Sequence, residues 1–330
     1  MDKLLLETLN IICKLIFGRK ITQNGRLAEH SQNEGDFSSE QEKIKMYLNS
    51  NRPIMLGRFG TTELNTFLNY LQVSGKNIDS EKFSKINYIF DRCLPNFFTR
   101  RNKILMSNLS GFFPTTDTEL LKWGDRVFDD LKCLDALFIW QESEKYIKTY
   151  LKDKDKILCS DMYYPYLFKN PWTSVLKGKK VLVISPFAEL IKEQYTNKRE
   201  LLFKDPNVLP LFKSLETITA YNVLGGNNCY SNINSWMEAL IDMEKQMDNL
   251  DYEIAIIGCG AYAFDLAAYA KRSGKKAITM CGSLQVLFGI YGTRYEEFLK
   301  DNGILNENWI RPGEKFKPKG YEKVEHGAYW

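Results

Sequence analysis

The run Ile254-Ala255-Ile256-Ile257 ends in Gly258-Cys259-Gly260 and passes at once into a helical pattern. The four apolar residues, three of them β-branched, have the character of a strand buried on both faces. Ala261, Phe264, Leu266, Ala267 and Ala270 then recur at helical spacing, and Gly274 follows Lys271 and Arg272 in the last turn, where cations complement the helix dipole. Residues 277–280 form a second apolar strand closed by Cys281-Gly282. Strand, turn, helix and strand in this order make a parallel crossover unit. The unit predicts an α/β chain with a mostly parallel sheet and helices on both faces.

The turn itself reads Gly258-Cys259-Gly260-Ala261-Tyr262-Ala263. It fits the G-x-G-x-x-A form of a Rossmann-like fingerprint, in which glycines let backbone N–H groups approach a phosphate. Glycine serves equally where a helix must pack closely on a strand, so both readings stand. A dinucleotide site also needs a carboxylate at the end of the second strand. Here that strand ends Met280-Cys281-Gly282-Ser283. The expectation is therefore a Rossmann-like site for a nucleotide other than NAD, with Gly258, Gly260, Ala261 and Gly282 as binding candidates.

A second strand–turn–helix junction lies early in the chain. Ile54-Met55-Leu56 runs into Gly57-Arg58-Phe59-Gly60-Thr61-Thr62-Glu63, followed by Leu64, Phe67, Leu68 and Leu71 on one helical face. Arg58 offers a fork of donors suited to a diphosphate. Glu63 suits a divalent cation bridging such a diphosphate. An ion pair between the two, fixing the turn, is the structural alternative. Residues 179–184 make another buried strand, which places Ser185 at a strand C-terminus, where ligands of open α/β sheets collect. Residues 136–140 and 215–221 read as further strands, and residues 104–106 as a short one.

The charge balance of 45 basic against 41 acidic residues gives no footprint for nucleic acid. The 7 cysteines include no C-x-x-C pair, which fits free thiols in a reducing cytoplasm. His30 and His326 are the two histidines of the chain, so a metal is expected on carboxylates and diphosphate oxygens, as suits Mg²⁺ or Mn²⁺. Residues 4–17 are apolar but interrupted by Glu7 and Lys14, too short and charged to span a membrane. They read as an amphipathic helix packed on the domain or on a second subunit. With the basic flank Arg19-Lys20, residues 1–20 are also a candidate for peripheral membrane contact. Residues 22–39 are polar, so the chain divides into an N-terminal helix and linker (1–38) and one folded domain (39–330), with Ser39 capping its first helix. The aromatic C-terminal tail either lies on the surface or folds back over the site, and the second reading makes Arg311 and His326 candidate contacts.

Two stretches carry a resemblance. Arg58-Phe59-Gly60-Thr61-Thr62-Glu63 resembles the R-x-G-x-x-E signature of bacterial GT-D type glycosyltransferases, relatives of the DUF1792 domain. The second stretch runs from Gly258 through Leu284-Gln285-Val286-Leu287-Phe288-Gly289 to Trp309-Ile310-Arg311-Pro312, and is similar to proteins of polysaccharide and capsule gene clusters. The resemblance implies a nucleotide-sugar donor, first of all a UDP-sugar, a divalent metal, and a glycan or lipid-linked acceptor. Carried over, Glu63 would contact the metal and Arg58 the donor phosphates, in a cytoplasmic enzyme at the inner face of the membrane. The DUF1792 type has an aspartate two residues before the glutamate; this chain has Thr61, a weaker ligand. Glu63, Asp265 and His326 are the candidates for a general base. Another nucleotide-dependent enzyme, an oxidoreductase or methyltransferase, and a non-catalytic scaffold of a polysaccharide assembly complex are the other readings.

Overall fold

Seven parallel strands in the order β3-β2-β1-β7-β6-β4-β5 form the frame of the chain. The structure is a computed structural model that describes residues 34–79, 97–158, 164–221, 230 and 232–330. The strands are β1 Ile54–Gly57, β2 Ala136–Ile139, β3 Asp155–Leu158, β4 Lys180–Ser185, β5 Ser214–Thr219, β6 Ile254–Ile257 and β7 Lys276–Thr279. The helices are α1 Glu34–Asn49, α2 Thr61–Val73, α3 Arg100–Ser110, α4 Asp117–Asp130, α5 Ala188–Leu202, α6 Trp236–Asp248, α7 Ala263–Arg272, α8 Ser283–Leu287 and α9 Thr293–Asp301.

The side-chain alternation of the strands builds two cores. Met55, Leu182, Ile184, Ala255 and Ile257 face one layer with residues of α2, α4, α6 and α7. Ile54, Leu56, Val181, Val183, Ile254 and Ile256 face the other, with α1, α5, α8 and α9. This is the Rossmann-like α/β arrangement expected from the repeated strand–turn–helix units. Connections that step toward β3 carry their helices on the first face, and the step from β4 to β5 carries α5 on the second. A single crossover hand gives this pattern. Neighbouring β1 and β7 therefore send α2 and α8 to opposite faces, which opens a crevice at their C-terminal ends.

Several local expectations are corrected. Residues 104–106 belong to α3, which Thr99 caps by accepting from the Asn102 N–H at 3.0 Å and which ends at Gly111 in a left-handed conformation. Those flanking signals outweigh a three-residue apolar run. Helix α1 starts at Glu34, inside the expected linker, and Ser39 lies within it rather than at its cap. Glu40 and Gln41, the two residues after Ser39, are buried and make tertiary bonds: Glu40 accepts from the Leu158 N–H at 3.0 Å and Gln41 from the Trp172 N–H at 2.9 Å. Strand β3 was not anticipated because its first two residues, Asp155 and Lys156, are exposed at the sheet edge. Cys133, Cys259 and Cys281 are free thiols. The expected helix at 4–17, the membrane contact at 1–20, His30 and the other four cysteines lie outside the described residues. Among the described residues no helix is long and apolar enough to cross a membrane.

Candidate functional site

A cavity of about 220 Å³ lies at the C-terminal edge of the sheet, walled by segments that follow β1, β2, β4, β5, β6 and β7. Of the sequence candidates, Arg58, Gly60, Glu63, Ser185, Gly258, Gly260, Ala261 and Gly282 all line it. Residues from opposite ends of the chain thus meet in one place.

Arg58 is fixed at both ends. Its backbone N–H donates to Thr279 Oγ1 at 2.7 Å, tying the end of β1 to the end of β7. Its guanidinium lies 4.3 Å from the centre of the Trp140 ring, within cation–π range. Trp140 is held in turn: its indole N–H donates to the Phe59 carbonyl at 2.8 Å. Phe59 is buried and stacks on Phe264 with ring centres 4.5 Å apart. The arginine therefore stands on a rigid aromatic platform, with a hydrogen bond to the Cys281 thiol.

Behind that platform sits Glu144, which accepts from the backbone N–H groups of Trp140 at 3.0 Å and Gln141 at 3.4 Å. It is buried, and burial pushes its carboxyl up to about 8 despite those bonds and the Arg58 charge. A folded value above the unfolded value of about 4.3 stabilises the folded state fully at low pH. That contribution is lost as pH rises from about 4 through about 8. Glu144→Gln keeps an acceptor oxygen and cannot ionise. Its melting temperature is expected to decline less than that of the parent chain between about pH 5 and pH 8; parallel declines would show that Glu144 does not titrate there.

Glu63 is the third residue of α2 and curls back over the helix start. A Cβ on Gly60 would fall 2.0 Å from Glu63 Oε2, so glycine at 60 is what admits the carboxylate. Burial raises the Glu63 carboxyl above its ordinary range, while the Arg58 charge pulls less strongly the other way. The ion-pair alternative is not realised as a direct contact: the Arg58 charge reaches Glu63, and both line the cavity.

The two glycines after β6 have a packing reason as well as a place in the wall. Gly260 has φ +59°, and a Cβ there would lie 2.6 Å from the Ser110 carbonyl oxygen; at Gly258 it would lie 2.5 Å from that of Cys281. Ser185 is buried, and its Oγ accepts from the Phe187 N–H at 3.1 Å, shaping the turn into α5.

Three candidates lie elsewhere. Asp265 is fully buried on α7, away from the cavity wall, and accepts from Arg126 Nε at 3.1 Å. Arg126 also pairs with Glu244 at 2.5 Å, and Arg272 pairs with Asp130. Burial and the neighbouring Asp130 hold Asp265 well above the usual carboxylate range. That is a structural network, not a base poised at a substrate. His326 is exposed in the tail and does not line the cavity. Arg311 is outside the wall too: it pairs with Glu296, lies 5.0 Å from the Tyr291 ring, and donates to the Trp330 carbonyl at 3.3 Å.

Protein-family models, curated proteins and solved structures gave no match to this chain.

The tail does fold back over the site, with different residues from those expected. Val324, Glu325, Tyr329 and Trp330 line the cavity, as does Arg294 at the start of α9. The Arg294 backbone N–H donates to the Ala328 carbonyl at 3.0 Å, and Gln285 Nε2 donates to that of Tyr329 at 3.3 Å. Spacing gave no sign of Arg294 or Trp140, whose roles depend on tertiary neighbours. The signal available was the aromatic density of the tail. The residues present do not build a cation site. Among the described residues no three His, Cys, Asp or Glu side chains gather. Glu325 is paired with Arg294 at 2.7 Å, and Thr61 stands where a second carboxylate was expected.

Proposed function

We propose that the protein is a glycosyltransferase that moves a sugar from a nucleotide diphosphate donor, UDP-linked in the first instance, to a hydroxyl of a glycan or lipid-linked acceptor in bacterial surface polysaccharide assembly. The observation that carries this reading is the shared cavity: an arginine braced on Trp140 and a half-buried carboxyl with raised proton affinity line the same space as the glycine turn after β6. In the reaction, the acceptor oxygen bonds to the anomeric carbon as the bond from that carbon to the diphosphate oxygen breaks. Glu63 takes the acceptor proton, a role that favours a carboxyl of raised pKa. Arg58 meets the charge that develops on the departing diphosphate. Its platform keeps it oriented before the charge appears, so little reorganisation accompanies the step.

The test is a thermal-shift panel with UDP, GDP, CMP, NAD and S-adenosylmethionine, followed by donor turnover with the ligand that binds. At a hundredfold excess over Kd a native-state ligand adds about 2.7 kcal/mol. For a chain of this size that is a rise of several degrees, at roughly 2 °C per kcal/mol. A shift with UDP or GDP and release of the nucleotide from its sugar donor supports the proposal. A response confined to NAD or S-adenosylmethionine overturns it.

A further inference from the structure

The folded-back tail brings a second guanidinium to the mouth of the cavity. Arg294 is the second residue of α9 and lies between two aromatic rings, 5.8 Å from the centre of Tyr295 and 5.6 Å from that of Tyr329. Its Nη1 donates to the Tyr329 hydroxyl at 3.0 Å and to Glu325 Oε2 at 2.7 Å. Arg58 and Arg294 both line the cavity, so the two cations border the same space. Each is braced by aromatic rings, as suits a group that must hold a fixed direction.

Glu325 is held less securely. The ion-paired side chains are 37% exposed for Arg294 and 48% for Glu325, and a pair so open to solvent contributes little to stability. The backbone around Glu325 is strained. Glu325 has φ 48°, His326 φ 60° and Gly327 φ 80°, a left-handed run that side chains other than glycine rarely adopt. The tail thus presents a carboxylate to Arg294 from a costly conformation, through a bond that is easily exchanged.

We propose that Arg58 and Arg294 together clasp the phosphates of a nucleotide diphosphate without a divalent cation, and that Glu325 occupies Arg294 until the ligand displaces it. This rests on the donor reading above. A diphosphate offers each guanidinium a pair of oxygens in the geometry of its fork. It replaces the one carboxylate already seated on Arg294. Two oriented cations can then supply the neutralisation that a bridging metal would otherwise give.

The experiment is calorimetric titration of the full chain with UDP and GDP, first in EDTA and then in Mn²⁺. Binding is expected in EDTA, changed less than about threefold by Mn²⁺. Arg294→Gln is expected to weaken it by about tenfold or more, and Glu325→Gln to tighten it by about two- to fivefold. Melting curves of each variant establish that the tail stays folded, and Arg294→Lys, which keeps the charge and loses the fork, is expected to fall between Arg294→Gln and the parent. Nucleotide binding that requires Mn²⁺, or that is indifferent to both Arg294→Gln and Glu325→Gln, overturns the clamp and leaves the donor reading standing. Failure of the unaltered chain to bind UDP or GDP in either condition removes the donor reading, and the clamp falls with it.

Discussion

Replacing Glu63 with glutamine is expected to lower transfer at least about a hundredfold, the usual scale for removing a general base. The melting temperature should stay within about 2 °C, corresponding to roughly 1 kcal/mol or less. Glutamine fits the same space over Gly60, so the fold loses no packing. What it loses is the capacity to take a proton. A companion variant separates chemistry from charge. Gly60 has φ −70° and ψ 160°, which alanine adopts freely, but the added Cβ would lie 2.0 Å from the Glu63 carboxylate. Gly60→Ala should therefore push Glu63 aside and reproduce the activity loss with the carboxylate still present. Its cost in stability should be small, since glycine and alanine at an N-cap differ by about 1 kcal/mol or less. Full activity in Gly60→Ala would mean that the carboxylate works from another position. Unfolding of Glu63→Gln would mean that the residue serves the helix start alone.

Arg126→Leu is expected to be the most damaging change to stability. The guanidinium is the counter-charge for Asp265 and Glu244, which have side-chain exposures of 0% and 12%. Breaking a buried pair from one side typically costs about 3–5 kcal/mol. The lower end, about 3 kcal/mol, is expected here because the Arg126 side chain is itself 28% exposed. On this size of chain that is a fall in melting temperature of roughly 6 °C, read by calorimetry. Asp265→Asn, by contrast, retains the shape and mimics the protonated form. It should change stability by about 1 kcal/mol or less and leave transfer intact, whereas a collapse of activity at unchanged stability would return Asp265 to the site.

These assignments show which parts of the structure could be read from the chain. The apolar runs at β1, β4, β6 and β7 are buried through the sheet, so their composition reports their state directly. Burial says less at β3, where one side of the strand is free and charged residues are tolerated. Glycine turns after β1 and β6 were legible because a strand that stops at glycine and becomes a helix points its loop at the sheet edge. Asp265 misled for a related reason. It stands in the first turn after such a loop, but α7 is buried nearly all round from Ala263 to Ala268, so its carboxyl turns to Arg126 instead of the cavity. In the tail, aromatic content left a surface role and folding back over the site both open. Nor did it fix the choice of contacts: Arg311 faces the Trp330 backbone, while Arg294 and Glu325 reach the cavity through a hook that only the tertiary fold fixes.

The order of the strands has a consequence for how the chain is made. Strand β1 lies between β2, some 80 residues on, and β7, more than 200 residues on: Leu56 pairs with Ala136 on one side and Ile278 on the other. During synthesis, β1, β2 and β3 can pair as soon as residue 158 has emerged. The far edge of β1 must then wait for nearly the whole remaining chain, and an open parallel edge is a template for wrong partners. Because β7 closes that edge and also carries Thr279, which holds Arg58 in place, the last strand to be made completes the sheet and fixes Arg58, and the residues after it then finish the cavity wall. A nascent chain stalled before residue 276 would display an unpaired strand and no site, so its fate would rest with chaperones until the ribosome moved on.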